Sequence, residues 1–313
     1  MRALKCIRKN VLTIAILLCY SLGLFGQQET IMTKYVFNSL FFNPAYAGSH
    51  GDGVGTATVQ YRNQWLGVVG APTTMLASGE VSLFDNSLGL GATLGRETIG
   101  ANARNELSVN TAYRIRTGRD GYLSGGLRAS LFNINSDFNA LTIGDAGDGV
   151  YDPSLQMLNY LGVGFGIYYQ DETMYLGISV PTIATIGAKD RTLDRTQHLF
   201  FTGGMVIGDD YSTVKWQPSI LVKYQPSVPL QMTLSVQAWL KETFAVGLHW
   251  RYDDALALSA ELHFMDNWKL STAYDLTISD LNDHSNGSPE VMLGYRFHLN
   301  SRNYTTTNTN WYY

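Results

Sequence analysis

Two histidines in the C-terminal third of the chain, His249 and His263, could act as general bases, and Glu261 lies close to the second. A hydrolytic site would need such a base within hydrogen-bond reach of a nucleophile. No convincing pairing of nucleophile and base surrounds either histidine. We therefore favour a structural role over a catalytic one. The sequence predicts no catalytic residues and no enzymatic activity.

Carboxylates are concentrated in one segment, where Asp145, Asp148 and Asp152 are interspersed with glycine. Carboxylate oxygens are the ligands that Ca²⁺ prefers, but this spacing does not match a calcium-binding EF-hand loop. Asp and Gly also build solvated turns without any ion. We therefore expect a turn-rich loop, no metal site and no cofactor.

The N-terminus has the pattern of a secretory signal peptide: a basic start followed by an apolar run over residues 11–25. A membrane-anchoring helix would need about 20 apolar residues, and this run stops at Gly26. We predict a signal peptide over residues 1–26, cleaved near Gly26. Lipidation is not expected, because Leu18 precedes Cys19. The basic residues of the signal are Arg2, Lys5, Arg8 and Lys9.

The composition of the mature chain excludes several classes of protein. Both cysteines, Cys6 and Cys19, lie in the predicted signal, so no disulfide or thiol chemistry is expected. Without the signal, 18 basic residues face 26 acidic ones, a net charge of −8, which disfavours nucleic-acid binding. No later apolar stretch is long enough for a membrane helix, while the 31 glycines and 19 tyrosines suit a membrane β-barrel.

From residue 54 onward, apolar and polar residues alternate in segments of about ten, which is the period of a strand with one apolar face. The clearest segment is 230–240. The sequence thus predicts an all-β fold, a transmembrane antiparallel β-barrel over residues 54–299; a soluble sandwich or propeller would leave too many apolar side chains in water. About fourteen strands are expected near 54–65, 73–84, 87–96, 103–116, 121–133, 159–169, 173–180, 196–207, 213–224, 229–240, 243–252, 255–265, 268–278 and 289–299.

Connection lengths indicate the orientation of this barrel, because outer-membrane barrels have short periplasmic turns and longer outer loops. Every second connection is short and turn-like, beginning with Asp85-Asn86. The longest connections, over 135–158, 181–195 and 279–288, fall in the other set. We expect them outside the cell, where an exported partner could be held.

Strand phase places many charged side chains on the lumenal face, where opposite charges on neighbouring strands can pair. We interpret them as lumen-filling electrostatics, with Arg62 and Glu80 on adjacent strands as a structural pair. The predicted lumenal residues are Arg62, Glu80, Glu106, Arg114, Arg128, His249, Glu261, His263, Asp275, Arg296 and His298.

The predicted last strand ends with Phe297 and Leu299 on its apolar face, like the C-terminal signals that barrel-assembly machinery reads. Residues 300–313 follow as a polar tail that ends in three aromatic residues. This tail could dock on a periplasmic partner or be a disordered end.

Two further segments carry a family resemblance. Asn43-Pro44-Ala45-Tyr46-Ala47-Gly48 precedes the first strand, and Tyr61-Arg62-Asn63-Gln64-Trp65 lies at the end of that strand. Together with weaker matches such as Gly70-Ala71-Pro72-Thr73, they resemble the PorP/SprF family over essentially the whole mature chain. Pro44 disfavours a helical conformation at Asn43, and Gly48 permits a turn.

The resemblance implies a non-enzymatic outer-membrane component of the type IX secretion system of Bacteroidota. It would support secretion or surface anchoring of exported proteins, in some members for gliding motility. The implied partners are periplasmic ring and motor-associated proteins of that system, an exported surface protein or adhesin, and outer-membrane lipid.

Two questions stay open at the level of sequence. Residues 27–53 are expected as a periplasmic N-terminal segment with Asn43 to Gly48 at the periplasmic mouth, where it could plug the lumen, pack on the barrel wall or reach a partner. The alternative function is a passive pore for small solutes, which requires a lumen that no segment fills.

Overall fold

The computed structural model describes residues 32–118, 120–137, 157–187, 197–209, 211–226, 228–265 and 267–299. Within these ranges the fold is a closed antiparallel barrel of fourteen strands, in which β1 pairs with β14 and every other strand pairs with its neighbours in sequence. The predicted fold class and strand number are confirmed. The strands are β1 Val54–Asn63, β2 Thr73–Leu83, β3 Leu88–Ile99, β4 Asn102–Thr117, β5 Gly121–Ser136, β6 Met157–Gln170, β7 Met174–Ile186, β8 Leu199–Met205, β9 Val214–Tyr224, β10 Gln231–Leu240, β11 Phe244–Arg251, β12 Ala255–Phe264, β13 Trp268–Thr277 and β14 Ser288–His298.

The strands alternate between a buried lumenal face and an exposed outer face, as the two-residue period requires. In β11, for example, Ala245 and His249 are buried, whereas Val246 and Leu248 are about half exposed. The exposed outer residues form an apolar band around the barrel, typical of a surface that faces lipid. No helix among the described residues is long and apolar enough to cross a membrane.

Strand lengths differ from the prediction mainly on one side of the barrel. β4 and β5 each have 16 residues, and β7 continues through Pro181 to Ile186 instead of ending before that proline. The register between β6 and β7 shifts near Val163, and such an irregularity accommodates a residue without a backbone N–H. The loop expected over 181–195 therefore starts later, after the end of β7.

The connections predicted to be short and turn-like lie together at one end of the barrel, whereas the other end has the longer connections and also the short β3–β4 and β11–β12 connections. At the β10–β11 turn, Lys241 and Glu242 both have positive φ, the conformation of tight hairpin turns. At the β6–β7 turn, the Asp171 carboxylate accepts hydrogen bonds from the backbone amides of Thr173 and Met174 at 2.8 and 2.9 Å. Desolvation alone would raise the pKa of Asp171. The hydrogen bonds that its carboxylate accepts have the larger combined effect in the opposite direction, so its pKa lies below the usual range.

The core of the molecule is an N-terminal segment inside the barrel. Residues 32–50 consist of a 3-10 helix Tyr35–Asn38, one α-helical turn Ser39–Phe42 and a 3-10 helix Pro44–Tyr46. Met32, Ala45 and Ala47 are fully buried. We call residues 32–50 the plug. This lumenal position is one of the three that the sequence leaves open for the segment, and it is favourable because apolar plug side chains lose more water contact inside the lumen than they would outside it.

Candidate functional site

The plug runs lengthwise through the lumen. Its first residues contact Arg62, next to the last residue of β1, and Glu290, near the start of β14. Its last residues contact Glu80 and the short β2–β3 turn at Asn86 by way of Arg114. The chain therefore passes from the end with the longer connections to the end with the short turns before β1 begins. Of the three placements that the sequence left open for this segment, the structure shows the first.

A buried ionic cluster holds the start of the plug. The guanidinium of Arg62 donates to Asp275 at 2.7 Å and to Glu290 at 3.1 Å, and all three side chains are almost fully buried. Glu290 also accepts hydrogen bonds from the backbone amides of Thr33 and Lys34, both at 2.9 Å. Buried charges are tolerated where each is paired and hydrogen-bonded. The plug backbone is therefore part of the charge balance of the lumen.

The expected pair of Arg62 with Glu80 is wrong. In the register of β1 and β2, Arg62 lies opposite Thr74, while Glu80 lies opposite Thr56 at the other end of the strands. Glu80 instead accepts a hydrogen bond from the backbone amide of Gly48 at 2.8 Å. Both residues face the lumen as predicted, but each contacts a different end of the plug.

A second ionic group surrounds Lys34. Its ammonium lies 3.0 Å from one carboxylate oxygen of Glu261. The other carboxylate oxygen lies 3.1 Å from His263 and 3.5 Å from the Lys269 ammonium. The ammonium groups of Lys34 and Lys269 lie 4.6 and 3.6 Å from the ring centre of Phe37, a favourable arrangement for a cation and an aromatic face. Glu261 and His263 therefore seat the plug.

His249 lies in a hydrogen-bonded chain with serines. Its two ring nitrogens each lie 2.8 Å from a hydroxyl, one from Ser235 and one from Ser259. The Tyr35 hydroxyl contacts Ser219 at 3.0 Å and Ser235 at 3.5 Å. Since both ring nitrogens are engaged, no nitrogen of His249 is left for an orienting carboxylate. This network connects the plug to the wall.

The motif from Asn43 to Gly48 forms the last turn of the plug. Asn43 has an extended backbone, as the following proline predicts, and Pro44 begins the 3-10 helix. The Asn43 side chain accepts from the Ala45 amide at 2.9 Å and donates to the Ile167 carbonyl at 3.0 Å. One side chain thus caps the turn and fastens it to β6.

The rest of this motif has equally specific contacts. Tyr46 packs edge-on against Tyr168. Arg114 donates to the carbonyls of Ala47 at 2.9 Å and Gly48 at 2.5 Å. Gly48 has φ +70, and a Cβ there would lie 2.8 Å from the Val81 carbonyl. The motif therefore encodes a compact turn that fits this lumen.

The second motif has residues on both faces of β1. Tyr61 faces outward and Arg62 inward, and Asn63 is the last residue of the strand. In the loop that follows, the Gln64 amide donates to the Pro72 carbonyl at 2.9 Å, and Trp65, with positive φ, donates its backbone amide to the Ser288 hydroxyl at 3.0 Å. This motif joins the ionic cluster to the β1–β2 loop.

Glycines in the wall leave room for the plug. A Cβ on Gly89 would lie 1.8 Å from the Ala47 carbonyl oxygen, and one on Gly126 would lie 2.3 Å from the Ala45 nitrogen. Gly166 and Gly177 similarly receive the Asn43 side chain. Glycine repeated at lumenal positions of β3, at Gly89, Gly91 and Gly95, was the available signal, because a Cβ there would meet Ala47, Leu40 and Phe41 of the plug. Such glycines leave a barrel wall without side chains where an internal segment can lie.

Two of the segments that the sequence singles out lie beyond the part of the chain that the structure describes. Asp145, Asp148 and Asp152 lie outside the described residues, as does the tail from residue 300. In the part of the chain that the structure describes, no group of three or more possible metal ligands occurs.

Comparison with protein families decides the assignment. The model of the type IX secretion system membrane protein PorP/SprF matches residues 24–295. The chain belongs to the PorP/SprF family. As a PorP/SprF barrel it is an outer-membrane component of the type IX secretion system. No curated protein matches the sequence.

Solved structures share the barrel with this PorP/SprF chain at low identity. The CymD monoaromatic hydrocarbon channel has 13% identity and a TM-score of 0.53, covering 88% of this chain and 95% of the other. The Acinetobacter baumannii outer membrane protein Omp33 has 8% identity and a TM-score of 0.44, covering 79% and 98%. At such identities the CymD likeness shows the fold alone.

A larger side chain at Gly126 is expected to push the plug out of its seat. In Gly126→Leu the new side chain meets the backbone of Ala45, and overpacking of this kind costs about 1–3 kcal/mol. Thiol labelling of a reporter cysteine in the plug, Ser39→Cys, should then become about 5- to 150-fold faster. Ser39 is buried in the seated plug.

The matched control is the neighbouring residue. Gly125 lies on the outer face with nothing within 4 Å of an added Cβ, so Gly125→Leu should leave labelling of Ser39→Cys unchanged. Equal labelling in the two leucine variants would show that the plug does not rest against Gly126.

Proposed function

We propose that this protein is a non-enzymatic scaffold of the type IX secretion system, which supports secretion or surface anchoring of exported proteins, a class that includes adhesins of gliding motility. The observation that carries the proposal is the plug, which fills the lumen with residues of the family motif. A barrel whose lumen is filled by its own N-terminal segment can bind partner proteins on its surface, but it does not provide a passage for solutes.

The plug argues against the alternative of a passive pore for small solutes. A 14-strand barrel without internal segments is wide enough for water and small solutes. Here Tyr35, Leu40 and Tyr46 are 2% exposed or less, because the lumen closes around them. Diffusion would require the plug to leave a seat that contains two buried ionic groups.

The proposal that the protein is not an enzyme rests on the same geometry. A catalytic base must be accessible to substrate, whereas His249 and Glu261 are almost fully buried and engaged in seating the plug. The proposed role of these groups is therefore to hold the closed state.

The proposed partners lie at the two ends of the barrel. The end with the short turns faces the periplasm, where ring and motor-associated proteins of the secretion system would dock. The end with the longer connections would hold an exported surface protein. Export itself is proposed to use the signal peptide of residues 1–26, with cleavage near Gly26.

Deletion of the gene, followed by quantitative comparison of secreted and surface proteins with those of wild-type cells, tests the function. Loss of many exported proteins together would make the chain a core part of the translocon, and loss of one would make it a dedicated anchor. Complementation with the unaltered gene is the control. An unchanged set of exported proteins would contradict the proposal.

A further inference from the structure

The outer face of the barrel carries a single charged side chain among the strand residues that the structure describes. Every other charged strand residue in these ranges has lumenal phase, whereas Arg96 of β3 shares the outward phase of Leu90 and Leu94. Arg96 is exposed. Because a charge on a lipid-facing surface is costly within the apolar band and tolerated at its edge, Arg96 marks one edge of that band.

Arg96 begins a straight row of polar side chains across four strands. The register places Arg96 opposite Asn105, Asn105 opposite Asn133, and Asn133 opposite Asn159. The row is hydrogen-bonded throughout: the distances are 3.4 Å from Arg96 to Asn105, 3.1 Å from Asn105 to Asn133 and 2.8 Å from Asn133 to Asn159. With strands about 4.8 Å apart, it is roughly 14 Å long.

The next outward row toward the short turns consists entirely of leucine. Leu94, Leu107, Leu131 and Leu161 are paired in the same register across the same four strands, and all four are exposed. The boundary between hydrocarbon and head groups therefore crosses the sheet between these two rows, at the end with the longer connections.

An apolar groove adjoins Arg96 on the other side. Its volume is about 520 Å³, and its outward lining includes Val59, Met75, Ala77 and Leu94, with Arg96 at its edge. Met75 lies directly opposite Arg96, and Ala77 directly opposite Leu94. The small side chain of Ala77 between larger neighbours creates a depression that runs from the arginine into the lipid-facing band.

We propose that this surface binds one phosphorylated glycolipid of the outer leaflet. The phosphate contacts the Arg96 guanidinium, sugar hydroxyls contact the amides of Asn105, Asn133 and Asn159, and an acyl chain lies in the groove past Ala77. The charge and its position select the occupant: a guanidinium binds phosphate well, and amides both donate to and accept from hydroxyls. A phosphorylated sugar head group presents phosphate and several hydroxyls beside its acyl chains, which matches the arginine, the asparagine row and the adjoining groove.

Native mass spectrometry of the detergent-purified full-length protein tests this proposal, with bis-phosphorylated lipid A as the probe. Arg96→Gln should weaken lipid A binding about tenfold, as expected for loss of one charge-assisted contact. Asn133→Leu, which extends the leucine row into the polar one, should also weaken it. The control Arg116→Gln changes an exposed arginine at the opposite end of β4 and should bind like wild type.

Two further probes test whether binding requires the whole phosphorylated sugar head group or only one part of the lipid. Phosphatidylcholine should bind more weakly than lipid A and equally well to wild type and Arg96→Gln, and inorganic phosphate alone should not compete. Undiminished lipid A binding by Arg96→Gln would overturn the proposal, and so would equal binding of both lipids by the wild-type protein. A heat-dependent mobility shift on gels, retained in each variant, shows that the barrel is intact.

Discussion

Deleting residues 32–50 is expected to turn a closed barrel into an open one. The fourteen strands pair with one another around the whole circumference, so the wall does not need the plug for its backbone hydrogen bonds. Removing the plug leaves a lumen lined by charged and small side chains, as in water-filled barrels. The variant should therefore conduct small hydrophilic solutes that the intact protein excludes.

Swelling of proteoliposomes in an isosmotic sugar solution measures this effect. The deletion variant should swell roughly tenfold or more faster than liposomes with the intact protein, which should behave like protein-free liposomes. Gly125→Leu, which changes only the outer face, is the control for reconstitution. If the deletion variant inserts and shows its heat-dependent mobility shift but does not swell, then something other than the plug closes the barrel.

Replacing Arg62 by alanine is expected to destabilise the protein by about 3–5 kcal/mol, the usual effect of removing one partner from a buried ion pair. Asp275 would keep Arg251 at 3.0 Å, but Glu290 would keep only uncharged partners. The free energy of unfolding can be measured by urea titration in detergent micelles with tryptophan fluorescence.

Two further variants serve as comparisons for the stability of Arg62→Ala. Arg62→Lys should recover part of the loss, because a lysine ammonium is a point charge that cannot bridge two carboxylates as a guanidinium does. Arg116→Ala, at an exposed position near a turn, should change the free energy of unfolding by less than about 0.5 kcal/mol. A stability of Arg62→Ala equal to that of Arg116→Ala would refute the role assigned to the ionic cluster.

The barrel could be predicted from the sequence because its signal is local and repeated. Alternation along segments such as 230–240 reveals which face of a strand is buried, and short turns between segments reveal that neighbours are antiparallel. Strand ends are less predictable where the wall is tall: the sequence predicts an end at residue 180, before Pro181, whereas β7 passes through that proline.

The plug could not be placed in the same way. Its turns are too short to show a helical period, and its partners are remote: Thr33 contacts Glu290, 257 residues away. The wrong pair of Arg62 with Glu80 has a related cause. β1 has two neighbours, and the one that closes the barrel, β14, is the last strand of the sequence. Lumenal phase alone predicts which side chains face inward but not which of them meet.

The chemistry of the motif became clear only with the fold. The sequence predicts an extended residue before Pro44 and a turn at Gly48, and the structure confirms both and adds the cap formed by the Asn43 side chain. Their shared purpose depends on Arg114, Gly126 and Ile167 of the wall. Those residues belong to strands whose side-chain pattern alone indicates nothing beyond a lumenal or an outer face.

Single-channel recording of the intact protein in planar lipid bilayers tests the central claim most directly. After verified insertion, the account predicts a silent membrane, with stepwise currents appearing only when the plug is deleted or displaced by Gly126→Leu. Steady open-channel currents from the intact protein would contradict it, because they would show that the lumen is a passage and the plug does not seal it.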